Sequence, residues 1–136
     1  MANEEGGGNN NNVFIYVGGD QEVTEDVIHV RVHKSVNTIR GGAFRFCGNL
    51  VSIEMHDGVE IIEEYAFYCC ISLRRIKLTS VRIIERVAFS RCTALEDVEF
   101  GDKLEMVGGS AFLGTSLRNV KLRKVRTIGS NAFCGC

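Results

Sequence analysis

The sequence has no tryptophan and no proline, and its charges nearly cancel: 16 Lys and Arg against 17 Asp and Glu, a formal net charge of -1. Such a balance leaves no strong field to draw in a nucleic acid or an anionic membrane. No apolar run in the chain approaches the roughly 18 residues of a membrane span. The opening residues, MANEEGGG, have no basic start and no apolar stretch, so they are not a secretory signal. A cytoplasmic location follows as the expectation, and there the 6 cysteines stay reduced. Catalytic groupings are missing too. No Ser/His/Asp or Cys/His set recurs with an orienting group. Gly41-Gly42, Gly108-Gly109 and Gly129 are not followed by the Lys-Ser/Thr of a phosphate loop. No enzymatic activity, cofactor or metal site is expected.

What the chain does have is a repeat. Ala-Phe pairs stand at Ala43-Phe44, Ala66-Phe67, Ala88-Phe89, Ala111-Phe112 and Ala132-Phe133, with Phe spacings of 23, 22, 23 and 21. Between them the apolar positions keep register. Leu50, Leu73, Leu95 and Leu117 form one column, and Ile53, Ile76, Val98 and Val120 the next. Then come Met55, Leu78, Phe100 and Leu122, followed by Val59, Val81, Leu104 and Val125, and last by Ile62, Ile84, Val107 and Ile128. The segment Val27, Val30, Val32, Val36, Ile39 fits 23 residues earlier. Self-similarity at such a period marks a solenoid. With 45% hydrophobic residues the chain can fill a core one rung at a time.

Within each rung the Ile-x-Leu core alternates apolar and polar, the mark of a short half-buried strand. Strands are expected around Arg31, Glu54, Lys77, Glu99 and Lys121, stacked in register as one parallel sheet. Val-x-x-Ile then turns the chain back, and the Ala-Phe segment closes the rung as a short helical turn or loop. The phenylalanines should stack into a spine. The glycines before Ala-Phe should supply a positive φ at the bend.

The pattern A-F-x-x-C-x-x-L-x-x-I-x-L…V-x-x-I resembles the BspA-type leucine-rich repeat, over roughly Val27 to Cys136. That resemblance implies a curved solenoid used mainly for binding other proteins. The chain departs from the family in lacking the proline often found after the strand, and in ending at Cys136 inside a repeat. The expected fold class is a repeat solenoid, leucine-rich-repeat-like, with a parallel β-sheet of short strands and loops or short helical turns on the opposite side. Residues 1–12, with a run of four Asn from Asn9, have nothing to bury and should be disordered. Residues 13–26 should form a capping segment in which Phe14 or Tyr16 covers the first rung. Residues 27–136 are the solenoid, about five rungs with the last incomplete.

The outward side chains of the sheet form a grid. Its candidate partner-binding residues are Arg31, Glu54, Arg75, Lys77, Asp97, Glu99, Lys121 and Arg123. The central row alternates in sign, so its members could bind a partner protein or satisfy one another. An open sheet of this kind offers no pocket. The grid has no aromatic residue of the type that dominates binding hot spots, although it has Arg. His29, His33 and His56 fall on the same face and are expected as solvated surface groups rather than metal ligands. Cys47, Cys70, Cys92 and Cys136 share a column that should face the core, with Thr115 in the remaining copy. Cys134 and Cys136 have no second pair at zinc spacing. Two functions stay open: a protein-binding module, or a structural spacer belonging to a longer repeat protein. The second carries a possible end-to-end self-association through an open last rung, since an uncovered sheet edge invites pairing.

Overall fold

The computed structural model describes residues 12–136; the disorder expected of residues 1–12 lies, Asn12 apart, outside the described residues. The strands are β1 (Val13–Tyr16), β2 (His29–Val32), β3 (Thr38–Ile39), β4 (Ser52–Glu54), β5 (Ile61–Ile62), β6 (Arg75–Leu78), β7 (Ile83–Ile84), β8 (Asp97–Phe100), β9 (Met106–Val107) and β10 (Thr127–Ile128). Every pairing among them is parallel. There is no helix among the described residues, and the Ala-Phe segments are turns. The fold is therefore the parallel-strand solenoid that the repeat predicts. Period-2 alternation does its expected work in β6, where Ile76 and Leu78 point inward while Arg75 and Lys77 face water.

The aromatic spine is continuous. Ring centroids of Phe44, Phe67, Phe89, Phe112 and Phe133 succeed one another at 5.2, 4.9, 5.0 and 5.3 Å, with interplanar angles of 10° or less. Tyr16 adds a sixth ring, 5.1 Å below Phe44 and tilted by 56°. Its hydroxyl accepts a hydrogen bond from the Arg40 amide at 3.2 Å. Backbone bonds lock the same side of each rung. The amides of Phe44, Phe67, Phe89 and Phe112 donate to the carbonyls of Ala66, Ala88, Ala111 and Ala132, each at 2.7 Å.

Val-x-x-Ile does more than turn the chain. The two-residue strands β3, β5, β7, β9 and β10 pair into a second parallel ladder that runs through the described solenoid. Along it the amides of Glu60, Arg82, Glu105 and Arg126 donate to the carbonyls of Asn37, Glu60, Arg82 and Glu105, each at 2.8 Å. These bonds run from a later rung to an earlier one, opposite to those of the Phe amides.

The sheet on the Ile-x-Leu side is not the continuous five-stranded one expected. It divides into β1-β2-β4 and β6-β8, and no strand forms around Lys121. The physical reason lies in the link between this sheet and the second ladder. Three residues separate Val32 from Val36, Met55 from Val59 and Phe100 from Leu104, but only two separate Leu78 from Val81 and Leu122 from Val125. Pairing is lost at both steps where the link shortens from three residues to two. A shorter link draws the end of the strand toward the second ladder and out of reach of the strand below. The last rung has also lost a residue between Thr115 and Leu117 relative to Cys92 and Leu95.

Positive φ occurs twice per rung, but mostly not at the expected glycines. Gly42 has φ 70°, while Gly41, Gly108, Gly109 and Gly129 do not take positive values. The residue before Ala is left-handed in every copy: Gly42, Tyr65, Val87, Ser110 and Asn131. So is the second residue after Phe: Phe46, Cys69, Arg91, Gly114 and Gly135. The stacked backbone imposes this conformation whatever the side chain. For a residue with a β-carbon it costs about 1–2 kcal/mol, and a β-branched one suffers most. Val87, at φ 63°, is the worst placed. Val87→Asn is expected to raise stability by about 1 kcal/mol, seen as a higher denaturant midpoint at unchanged slope. A lower midpoint would mean that the packing of Val87 outweighs its strain.

Cys47, Cys70 and Cys92 are buried free thiols. Those of Cys70 and Cys92 donate to the carbonyls of Phe44 and Phe67 in the rung below, each at 3.0 Å. Burial, helped by the charges of Glu25 and Asp26, pushes the Cys47 thiol up to about 11. Hydrogen bonding with Cys92, and then burial, push the Cys70 thiol further up. Both stay protonated and unreactive at neutral pH. Cys136 differs from the expected column in being exposed. Its Sγ still follows the column, lying 3.2 Å from Thr115 Oγ1 and donating to the Phe112 carbonyl at 3.5 Å.

Candidate functional site

Arg31, Glu54, Lys77 and Glu99 all face water from successive strands of the Ile-x-Leu side. Their surroundings differ, because the sheet is divided. Across β2 and β4, Arg31 Nε donates to Glu54 Oε1 at 2.7 Å, and His29 Nδ1 meets Ser52 Oγ at 2.8 Å. No carboxylate or carbonyl orients the other His29 nitrogen among the described residues, so this contact lacks what a Ser–His nucleophile requires. Across β6 and β8, Arg75 lies opposite Asp97 and Lys77 opposite Glu99. None of these four closes an ion pair among the described residues. Lys121 and Arg123 lie beyond the last paired strand, apart from the rest; Arg123 instead approaches Asp102 at 3.9 Å.

Where β4 and β6 fail to pair, the face opens into a cleft of about 500 Å³. An open sheet was expected to offer no pocket, but this cleft lies at the unpaired step and another depression lies over the paired β2 and β4. Val51, which is exposed, and the half-buried Met55 supply apolar surface, and Glu54, Arg75, Lys77, Asp97 and Glu99 supply charge. The cleft thus gathers five of the eight grid residues around an apolar strip. Arg31 lines that adjoining depression with His29 and Val13, and it shares Ser52, Ile53 and Glu54 with the cleft.

Other charges are consumed elsewhere. Arg74 binds Glu96 at 2.5 Å and holds its carboxyl below the usual range. Arg82 reaches Glu105 at 3.3 Å and Glu60 at 3.5 Å on the second ladder. His33 is exposed, as expected of a surface histidine, whereas His56 is half-buried. His33 Nδ1 accepts from the Ser35 amide at 3.1 Å and His56 Nδ1 from the Gly58 amide at 3.0 Å. His56 Nε2 then donates to the Val36 carbonyl at 2.8 Å, which ties its ring to the rung below as well. Among the described residues no cluster of three or more His, Cys, Asp or Glu is placed to hold a metal.

One group of side chains escaped the sequence reasoning. On the Ala-Phe side, Phe46 and Tyr68 meet edge to face at 5.5 Å, and Tyr65 and Tyr68 at 5.3 Å. The Arg45 guanidinium carbon lies 5.1, 5.3 and 6.0 Å from the centroids of Phe46, Tyr65 and Tyr68. These rings belong to none of the apolar columns. The signal was available: aromatic residues outside the core register, at Phe+2 in one copy and at Phe−2 and Phe+1 in the next.

Among the described residues, no helix is long and apolar enough to cross a membrane. No curated protein and no solved structure matches the chain. The BspA type leucine rich repeat region does match, in 6 copies over residues 23–136. Leucine-rich repeats commonly mediate protein–protein interaction. With the repeat columns, the parallel ladders and that match in agreement, the chain belongs to the BspA type leucine rich repeat family.

Proposed function

We propose that the chain is a protein-binding module that takes its partner on the Ile-x-Leu face, across the cleft between β4 and β6. One observation carries this: among the described residues Arg75, Lys77, Asp97 and Glu99 stand exposed and outside any ion pair beside the apolar Val51 and Met55, whereas Arg31 and Glu54 neutralise each other. A partner can pair with the free charges without first breaking a contact, and the apolar strip offers area for burial. Opposite charges facing each other across β6 and β8 favour a partner that also carries both signs in sequence.

The test is charge reversal. Lys77→Glu and Glu99→Lys should each weaken a partner recovered by affinity capture about tenfold or more in a titration. Stability should change by no more than about 0.5 kcal/mol, because both side chains are exposed. Unchanged affinity in both variants would remove the partner from this face.

A further inference from the structure

We infer that Arg45, Phe46, Tyr65 and Tyr68 form a second docking site, on the Ala-Phe side, for a protein segment that presents a carboxylate beside an apolar side chain. The first support is exposure. Phe46 stands outside the core columns and is 45% exposed, yet its ring meets Tyr68 edge to face at 5.5 Å, and Tyr68 meets Tyr65 at 5.3 Å. An aromatic group set in water in this way offers a partner apolar area to bury.

The second support is electrostatic. Arg45 closes no ion pair among the described residues, and neither does Arg91, which continues the column of Phe46 and Cys69 one rung further. The nearby acids are occupied: Glu64 lies 3.8 Å from Arg86, and Glu63 accepts the Gly41 amide at 2.9 Å. Three rings hold the Arg45 guanidinium in place, so its fork is set before a carboxylate arrives. Ile71, 53% exposed, lies beside Gly48, two residues on from Phe46, and adds apolar ground on this side. Tyr and Arg side by side are the composition of a binding hot spot. A cationic segment would meet Arg45 and Arg91 as like charges, so an acidic one is selected.

A random peptide library displayed on phage, panned against the whole chain, tests this. The enriched peptides should combine Asp or Glu with Phe, Leu or Ile. A synthetic peptide from that set should bind about tenfold or more weakly to Arg45→Glu and to Ile71→Ser. It should bind normally to Lys77→Glu, which keeps this site apart from the face proposed above. Both tested side chains are exposed, and matching circular dichroism melts will show that the variants are folded. Absence of an acidic-apolar consensus would overturn the inference. So would equal binding to Arg45→Glu, or loss of binding only in Lys77→Glu.

Discussion

Phe89→Ala is expected to destabilise the chain by about 3–5 kcal/mol, enough to remove a large part of a total of about 5–15 kcal/mol. Phe89 is fully buried, with Phe67 at 4.9 Å on one side and Phe112 at 5.0 Å on the other. The cavity cannot collapse easily. The Phe89 amide is bonded to Ala111 and the Ala88 carbonyl to the Phe67 amide, each at 2.7 Å, so both neighbouring rungs hold their spacing. In a solenoid each rung is stabilised only by its neighbours. A lesion in the middle therefore weakens two interfaces and leaves two short arrays. The thermal transition, followed by circular dichroism, should fall in midpoint and broaden. Phe133 has a ring on one side only, Phe112 at 5.3 Å, and is partly exposed. Phe133→Ala should cost about half as much. Equal losses at the two positions would mean that the spine does not act through nearest neighbours.

The spine was legible because one residue type recurs at nearly one period and each copy meets the same environment. The second ladder was not, because strands of two residues such as Thr38–Ile39 and Ile61–Ile62 show no alternation to detect. The loss of pairing at Lys121 was hidden for another reason. Val120 and Leu122 satisfy the apolar columns, so composition predicts a strand there. Link length decides otherwise, and column matching discards it. Five grid residues do gather around the cleft, as their phase in the repeat suggests, but the missing β4–β6 pairing beneath it follows from no column. Tyr65 and Phe46 lie in turns, in one copy each and outside every column, so neither the repeat nor strand alternation points to them. Left-handed conformation at Val87 could not be read from a residue that ordinarily avoids it.

Gly101→Ala is expected to cost about 3 kcal/mol and to open the pairing of β6 with β8. The link from Phe100 to Leu104 is one residue longer than the link from Leu78 to Val81 beneath it. Room for the extra residue comes from laying Gly101 against the main chain of Thr79. A β-carbon at position 101 would overlap the Thr79 carbonyl oxygen and crowd its carbon and Cα. Thr79 cannot withdraw. Leu78 and Ser80 on either side are buried, and Ser80 Oγ donates to the Val59 carbonyl at 2.8 Å. Gly48→Ala is the matched control, because its β-carbon would meet only Ile71, at 3.7 Å, an ordinary contact. Both substitutions change the unfolded chain alike, so their difference isolates the overlap. In Gly101→Ala, hydrogen exchange should rise at the amides pairing β6 with β8 while the second ladder from β3 to β7 stays protected. Similar stability of the two variants would mean that the longer link has slack. The division of the sheet would then have to arise within the strands, and the step from three residues to two would not explain the cleft.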